Sequence, residues 1–191
     1  MAVFPVFLKL AGRRVVVVGG GPMAAAKLRA LVDAGARVTV IAPEVVPEIA
    51  AAAGDLEIVR RPFEPSDLDD TFYVVAAAPP EVNRQVSREA SSRGLFVNAV
   101  DDMENASAYA GAIVQRAGVT IALSTDGEAP ALAGLIREAL EELLPDDLDQ
   151  WMSCAKDARQ RWLADRVPMA ERRPLLLQAL NALYDRKVQT L

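Results

Sequence analysis

The sequence predicts an α/β fold built on a doubly wound parallel sheet. Short β-branched runs alternate with Ala- and Leu-rich stretches through the first 100 residues, and the connections between them are short. The strand-like runs are apolar on both faces, which is typical of parallel strands that helices cover on each side. Over 191 residues, a content of 52% hydrophobic and 25% charged side chains is that of a globular protein.

Each element follows from its local pattern and from the Gly and Pro residues that bound it. Strands are predicted over 14–18, 37–42, 56–60, 72–78 and 95–100, and helices over 23–34, 45–53 and 81–93. Beyond residue 105 the sequence predicts a hairpin from strands 109–115 and 119–123, a helix over 129–144, and an amphipathic helical region over 148–191 with a break at Pro168. The expected domains are therefore a nucleotide-binding domain over 1–105, a bridging segment over 106–144 and a small helical domain over 145–191.

A glycine-rich turn joins the first strand to the first helix. Val15-Val16-Val17-Val18 leads into Gly19-Gly20-Gly21-Pro22-Met23-Ala24, which fits the pattern G-x-G-x-x-A. Gly19 permits the tight turn, Gly21 lets the backbone approach a pyrophosphate, and Ala24 is small enough for helix–strand packing. The amides at the helix N-terminus supply an anion site. This strand–turn–helix context predicts a Rossmann-like dinucleotide site rather than a purely structural glycine turn.

The segment after the second strand decides which dinucleotide is expected. A carboxylate normally ends this strand and binds the ribose hydroxyls. Here the strand end carries none, and Glu44 follows slightly late, in Ala42-Pro43-Glu44. No arginine is present there for a 2′-phosphate, so NAD is favoured over NADP.

Composition excludes several classes of chemistry and partner. The chain has no histidine and a single cysteine, Cys154, which excludes histidine-based triads, His-ligated metals and intrachain disulfides. No metal-ligand set is predicted. No apolar run is long enough for a membrane span and the N-terminus lacks a signal-peptide pattern, so a cytoplasmic location is expected.

The charge is unevenly distributed along the chain. The net charge of −5 disfavours nucleic acid as a partner. Residues 151–191 nevertheless carry 8 basic and 4 acidic side chains. This basic segment indicates an anionic ligand, a complementary subunit face, or simply a solvated helix surface.

Two further clusters of polar residues follow predicted strands. Asp101 and Asp102 come directly after the fifth strand, at the sheet edge where ligands collect in open α/β folds. Ser124 and Thr125 lie between a strand and a helix start. Turn formation explains the aspartates and helix capping explains the hydroxyls equally well, so the residues alone leave both readings open.

Several local motifs in their order along the chain resemble the precorrin-2 dehydrogenase / sirohydrochlorin ferrochelatase family. That family occurs as stand-alone enzymes and as the N-terminal part of bacterial siroheme synthase. The matching stretches are Phe4-Pro5-Val6-Phe7, Val18-Gly19-Gly20-Gly21 with Lys27, Asp33-Ala34-Gly35-Ala36-Arg37-Val38-Thr39-Val40, Val82-Asn83, Val97-Asn98-Ala99-Val100-Asp101, Ile121-Ala122-Leu123-Ser124-Thr125-Asp126-Gly127, Ala129-Pro130-Ala131-Leu132-Ala133 and Glu171-Arg172-Arg173.

The resemblance implies a homodimer with a Rossmann domain, a dimerisation segment over 106–144 and a small C-terminal helical domain. It also implies NAD-dependent oxidation of precorrin-2 to sirohydrochlorin in siroheme biosynthesis, often followed by insertion of Fe²⁺ as a substrate. The family's functional residues correspond to catalytic Asp101, to cofactor-binding Pro22, Met23, Pro43 and Glu44 beside Gly19 and Gly21, and to substrate-facing Ser124 and Thr125. Arg172 and Arg173 are candidates for binding the substrate's carboxylates, although a solvated helix surface would also account for them.

The sequence departs from the family pattern at Ala26, Ala78 and Gly111, and in the loop Asp102-Met103-Glu104-Asn105. The altered loop bears more on the ferrochelatase (lyase) reaction than on the dehydrogenase. Dehydrogenase alone and dehydrogenase with chelatase both fit the sequence. The alternative from another class is an NAD(H)-binding redox sensor without tetrapyrrole chemistry. A different NAD(P) dehydrogenase would bring a Tyr-x-x-x-Lys pair, and neither Tyr73 nor Tyr109 has a lysine four residues on.

Overall fold

The computed structural model describes residues 3–100 and 102–188, with side chains up to residue 183. The chain divides into two compact units between Ala110 and Gly111. The N-terminal unit is a parallel sheet with helices on both faces, and the C-terminal unit consists of a hairpin and three helices. The predicted fold class is confirmed.

The N-terminal unit alternates strands and helices in the predicted order. Its elements are β1 (Arg14–Val18), α1 (Pro22–Asp33), β2 (Arg37–Ile41), α2 (Pro47–Ala50), β3 (Leu56–Val59), a 3₁₀ turn (Pro65–Leu68), β4 (Tyr73–Ala76), α3 (Pro80–Ser92) and β5 (Phe96–Ala99). The five strands are all parallel and lie in the order β3-β2-β1-β4-β5. Since the strand order reverses between β1 and β4, the carboxyl ends of these strands form the crevice where such sheets bind ligands.

Strand β1 explains how both sheet faces are closed. Val15 and Val17 belong to one apolar cluster, together with Leu28 of α1. Val16 and Val18 point the other way and pack in a second cluster with residues of α3. Because successive strand side chains alternate between faces, one continuous valine run supplies both cores. Each fully buried valine contributes about 1.5–3 kcal/mol relative to an exposed one.

Helix α2 is shorter than the predicted helix over 45–53. It begins only at Pro47 because Val46 is extended and acts as its N-cap. The backbone N–H of Val46 donates to the carbonyl of Gly20 at 2.8 Å, which holds the segment before the helix against the glycine loop. A tertiary hydrogen bond thus replaces the first turn that local sequence favours.

In the C-terminal unit, β6 (Ala112–Arg116) and β7 (Val119–Leu123) pair antiparallel, as the hairpin prediction requires. The turn residues Ala117 and Gly118 have φ values of 50° and 81°, the positive values of a two-residue hairpin turn. Strand β6 starts at Ala112, later than the predicted residue 109. Before it, the backbone N–H groups of Ser107 and Ala108 both donate to the carbonyl of Val97.

The rest of the C-terminal unit is helical, as predicted. The helices are α4 (Pro130–Leu143), α5 (Leu148–Ala164) and α6 (Met169–Val188), so the break expected at Pro168 is present. Among the described helices, none is both long enough and apolar enough to cross a membrane.

Candidate functional site

A cleft of about 630 Å³ lies at the carboxyl end of the parallel sheet. Its walls come from the connections that follow four strands, β1, β2, β3 and β4. The lining residues are Val18, Gly19, Gly20, Gly21, Pro22, Met23, Ile41, Ala42, Pro43, Glu44, Pro62, Phe63, Ala77, Ala78, Pro79 and Val82. All lie in the N-terminal unit, at the point where the strand order reverses. The predicted Gly19, Gly21, Pro22, Met23, Pro43 and Glu44 are therefore brought together in one cavity.

Gly19 forms the tight turn at the end of β1. Its φ is +126°, a conformation that side chains with a Cβ rarely adopt. A Cβ at this position would also collide with the carbonyl oxygen of Ala77, after β4. The N–H of Gly19 donates to the carbonyl of Ile41 at 2.9 Å. Gly19 thus packs the loop against the ends of both neighbouring strands.

Gly20 is a constrained position that the sequence pattern treats as open to any residue. A Cβ here would collide with the carbonyl oxygen of Glu44. Its own carbonyl accepts the N–H of Val46. The backbone after β2 therefore lies directly on the glycine loop, which places the segment 43–46 beside the predicted pyrophosphate position. The run of three glycines was the available signal for this residue.

Gly21 differs from Gly19 and Gly20 because a Cβ at its position would meet open space. No heavy atom lies within 4 Å of the position a Cβ would take, and its φ of −86° is ordinary. Gly21 is the N-cap of α1, with Pro22 following at the first helical position. The first intrahelical bond runs from Ala25 to Gly21, so the amides of Met23 and Ala24 precede it.

These features fit an anionic group at the helix start. The first turn of α1 carries no acidic side chain, and its backbone donors face an opening that no Cβ fills. Ala24 is fully buried against β1, the helix–strand contact expected of the third small residue. A dinucleotide pyrophosphate fits this space at the N-terminus of α1, beside Gly21.

The wall beyond β4 is held by a buried amide side chain. The Oδ1 of Asn83, itself 4% exposed, accepts the N–H of Ala78 at 2.9 Å. This bond fixes the turn Ala78-Pro79 that lines the cleft. The sequence showed Asn83 only as part of a family motif, because its partner is a backbone group in a separate turn.

Among the described residues that line the cleft, Glu44 is the single ionisable one. It is exposed and lies just beyond β2, as predicted from the sequence. The remaining lining is mostly apolar, as in most small-molecule sites.

Elsewhere in this unit, burial raises the pKa of Tyr73 to about 12, so its phenol stays protonated near neutrality.

Asp101 lies outside the described residues, so its geometry does not enter the site. Val100 donates its N–H to Ala76 at 2.8 Å, which continues the sheet, and the Asp102 carboxylate accepts both the side-chain and backbone N–H groups of Asn105. Asp102 therefore makes the turn contacts that the sequence allowed for it.

Ser124 and Thr125 belong to the C-terminal unit, between β7 and α4. The Ser124 hydroxyl oxygen accepts the N–H of Asp126 at 3.0 Å, and that of Thr125 accepts the N–H of Ala129 at 3.3 Å. Both act as acceptors that shape the turn before α4. In each case the hydroxyl proton is still a potential donor to a ligand.

Arg172 and Arg173 lie in the first turns of α6. The Nε and Nη2 atoms of Arg172 both donate to the carbonyl of Val167, at 3.0 and 2.9 Å, so this guanidinium closes the α5–α6 connection. Arg173 is exposed. In the described part of the chain, no group of three or more His, Cys, Asp or Glu residues is placed to hold a metal ion.

The cleft lies within a region of the chain that matches a known protein family. The model of the NAD(P)-binding family NAD_binding_7 matches residues 6–112, which contain all of the cleft lining. The chain therefore belongs to this NAD(P)-binding family, and it binds NAD(P).

Relatives extend the similarity over almost the whole chain. The siroheme synthase of Photorhabdus laumondii is 41% identical over 187 residues, which are 96% of this chain and 40% of that protein. Siroheme synthase 3 of Aeromonas hydrophila is 41% identical over 95% of this chain and 40% of its own length. The chain thus spans about two fifths of the length of these relatives.

A solved structure is similar in fold as well. The structure of SirC, a precorrin-2 dehydrogenase, aligns with a TM-score of 0.74 and 28% identity, covering 92% of this chain and 88% of SirC. The resemblance recognised from the sequence motifs is confirmed by these relatives.

Proposed function

We propose that this chain is a precorrin-2 dehydrogenase, an oxidoreductase that converts precorrin-2 to sirohydrochlorin with NAD⁺ in siroheme biosynthesis. The observation that carries the proposal is the glycine-loop cleft, within a chain that aligns with SirC over 92% of its length. Oxidation of precorrin-2 removes a hydride and a proton from the macrocycle. The products are sirohydrochlorin, NADH and a proton.

The N-terminal unit supplies the cofactor site in this proposal. Gly19, Gly21, Pro22 and Met23 hold the pyrophosphate at the start of α1, and Pro43 and Glu44 lie on the ribose side, after β2. When bound, NAD⁺ supplies the hydride acceptor. The chain's own residues bind and orient the dinucleotide, and the apolar cleft walls exclude water from it.

Glu44 is the basis for proposing NAD over NADP. Its carboxylate is the one charge among the described lining residues, and it follows the strand whose end normally contacts the ribose. A carboxylate accepts hydrogen bonds from ribose hydroxyls and repels a 2′-phosphate. NAD⁺ should therefore bind more tightly than NADP⁺.

The substrate side is proposed from Asp101 and from residues of the C-terminal unit. Asp101 takes the role of proton acceptor, since an aspartate carboxylate can act as a general base. Ser124 and Thr125 would donate their hydroxyl protons to the tetrapyrrole, and Arg172 and Arg173 would meet its carboxylates. Because Arg172 is anchored on Val167, the exposed Arg173 should contribute more to substrate affinity.

We further propose that two chains associate through residues 106–144, the segment between the nucleotide-binding domain (1–105) and the small helical domain (145–191). Ile113, Leu132 and Leu135 in this segment are 48–64% exposed. Burial of such side chains against a second copy would stabilise the dimer. A reducing, cytoplasmic setting suits a chain with one cysteine, Cys154.

Anaerobic turnover tests the activity. The purified protein is mixed with enzymatically made precorrin-2 and NAD⁺, and both NADH and the sirohydrochlorin spectrum are followed. One NADH per sirohydrochlorin is expected, and Asp101→Ala should slow the reaction about 10²–10⁴-fold, as loss of a general base does. Asp102→Asn, a change next to it in the same loop, is the matched control and should turn over within a few-fold of the unaltered chain.

The same reaction separates the remaining alternatives. Adding Fe²⁺ to the sirohydrochlorin formed distinguishes a dehydrogenase alone from a dehydrogenase with ferrochelatase activity, by comparison with a protein-free mixture. The macrocycle supplies four nitrogen ligands, so this reaction does not require a resident metal site. If NAD⁺ binds and neither NADH nor sirohydrochlorin forms, the dehydrogenase proposal is wrong and a redox-sensing role replaces it.

A further inference from the structure

A charge pair closes the loop that follows β3. The Nη2 and Nη1 atoms of Arg61 donate to the two carboxylate oxygens of Asp67, at 2.5 and 2.8 Å. The backbone N–H of Glu64 donates to the same carboxylate at 2.8 Å. Asp67 is only 8% exposed, and the Arg61 guanidinium holds the pKa of its carboxyl below the ordinary value. A bidentate pair of this kind has a defined geometry.

Two residues inside this closed loop form a wall of the cleft. Pro62 and Phe63 follow Arg61 directly and line the cavity. Arg61 also donates from Nη1 to the carbonyl of Pro62 at 2.9 Å. Phe63 packs at the same time on the second apolar cluster of the unit. The pair therefore fixes the backbone on both sides of Phe63.

The loop is also tied to the strand that leads to the glycine turn. The Nη1 atom of Arg14, the first residue of β1, lies 3.0 Å from the carbonyl oxygen of Asp67 and 2.6 Å from that of Asp69. It also donates to the Thr71 hydroxyl at 2.8 Å. The position of Phe63 is thus set relative to β1, whose other end carries Gly19.

The topology places this wall on the adenosine half of a dinucleotide. β2 and β3 lie on one side of β1, and β4 lies on the other. In such sheets the pyrophosphate lies at the glycine turn and the adenosine ribose at the end of β2. The segment after β3 would therefore lie next to the adenine of a bound dinucleotide. Pro62 and Phe63 offer the apolar and aromatic surface on which a flat base can pack.

We propose that Arg61 and Asp67 are positioning residues that hold Pro62 and Phe63 as the adenine-binding wall of the NAD(P) cleft. This inference rests on NAD(P) binding and does not require the proposed oxidation of precorrin-2. Neither Arg61 nor Asp67 is among the described residues that line the cleft, so the proposed role acts through Pro62 and Phe63.

The test compares the two halves of the cofactor as separate ligands. Calorimetric titrations with ADP-ribose and with nicotinamide mononucleotide are made on the full chain and on Asp67→Asn and Arg61→Gln. Both variants should bind ADP-ribose about tenfold more weakly, and nicotinamide mononucleotide should change less than twofold. Phe63→Ala should reproduce the loss for ADP-ribose, because loss of a base-packing side chain costs about this much.

A second charge pair in the same unit provides the control. Arg93 and Glu89 are joined at 2.6 Å on the surface of α3, outside the cleft lining. Glu89→Gln should leave both titrations unchanged. If Asp67→Asn does not fold, Arg61→Lys replaces it, because lysine keeps the charge but cannot make the bidentate contact.

Three results would overturn the inference. The first is unaltered ADP-ribose affinity in folded Asp67→Asn together with Arg61→Gln or Arg61→Lys, and the second is an equal loss of affinity for ADP-ribose and nicotinamide mononucleotide in these variants. The third is unaltered ADP-ribose affinity in Phe63→Ala. A selective loss for ADP-ribose supports it even if precorrin-2 is not oxidised. That combination would contradict only the proposed function.

Discussion

The two units of the chain differ in how completely each buries its apolar residues. In the N-terminal unit, each face of the parallel sheet has a continuous cluster of buried side chains, so the fold and the cleft rest on a closed core. Among the described residues of the C-terminal unit, the buried apolar side chains are Val114, Ala133, Leu148 and Ala158. The glycine-loop cleft therefore lies in the unit whose core is self-contained.

The C-terminal unit instead leaves large apolar side chains accessible. On α4, Leu132, Leu135 and Leu143 are 50–78% exposed, and on α6, Met169 and Leu177 are 77% and 60% exposed. Single exposed leucines are common, but several on one short helix are typical of an interface. The proposed dimer gives this unit the apolar burial that its own core lacks.

The largest expected effect is on the closed core of the N-terminal unit. Gly19→Ala introduces a Cβ at a positive φ and against the Ala77 carbonyl. We expect a loss of about 3 kcal/mol or more in the free energy of unfolding, measured by urea denaturation. Gly12→Ala is the control, since Gly12 also has a positive φ, +69°, but open space around it. It should cost only about 1 kcal/mol. Equal losses for both variants would show that the Ala77 contact has no role.

The next effect concerns the exposed face of the C-terminal unit. Leu135→Glu places a charge on α4 at a side chain that is 64% exposed. If this face joins two chains, the dimer dissociation constant should rise about 30- to 100-fold, because burying an unpaired charge is costly. Sedimentation velocity measures the change, and NAD⁺ affinity should be retained.

Glu138→Gln, on the same helix and also exposed, is the matched control and should leave the association unchanged. An unaltered chain that is monomeric at micromolar concentration would contradict the dimer. A Leu135→Glu dimer of ordinary affinity would place the interface elsewhere.

A smaller effect tests the charge in the cleft. Glu44→Arg should move the ratio of NAD⁺ to NADP⁺ dissociation constants about tenfold towards NADP⁺, since a repulsive carboxylate becomes a phosphate ligand. Calorimetric titration with NAD⁺ and with NADP⁺ measures this ratio. Glu48→Arg makes the same charge change on α2, outside the cleft lining, and should have little effect. An unchanged ratio in Glu44→Arg would remove Glu44 from cofactor selection.

The smallest effect is a dependence of stability on pH. The Arg61 hydrogen bonds lower the pKa of Asp67 from its ordinary value of 3.8, so the unfolded chain binds this proton more readily than the folded one. The stabilisation is complete above about pH 5 and is lost as the pH falls through the folded pKa. The difference in unfolding free energy between the unaltered chain and Asp67→Asn should therefore shrink between pH 6 and pH 3. A constant difference for Asp67→Asn would contradict the pair's ionic character.

The sequence predicted the elements around the cleft that depend on local pattern. The valine run of β1 and the spacing of Gly19, Gly21 and Ala24 indicate strand, turn and helix start without tertiary information. The hairpin around Ala117-Gly118 was predicted on the same basis.

Residues whose roles depend on distant partners were missed. Gly20 is constrained by the Glu44 carbonyl and Asn83 by the N–H of Ala78, contacts that no sequence period encodes. Asp67 looks like a solvated turn residue until Arg61 and Glu64 are seen around it. Pro62 and Phe63 join the cleft only because β3 lies beside β2 in the sheet.

The central claim is that the glycine-turn cleft holds the dinucleotide, and Gly21→Val tests it most directly. Gly21 has an ordinary φ and no atom within 4 Å of a Cβ, so valine fills this space without straining the fold. Gly134→Val is the matched control, because Gly134 on α4 has equal space and lies outside the cleft. Calorimetric titration with NAD⁺ should show affinity lowered at least about 100-fold in Gly21→Val, a loss of roughly 2.7 kcal/mol, and unchanged in Gly134→Val. Unaltered NAD⁺ affinity in a folded Gly21→Val chain would contradict the account.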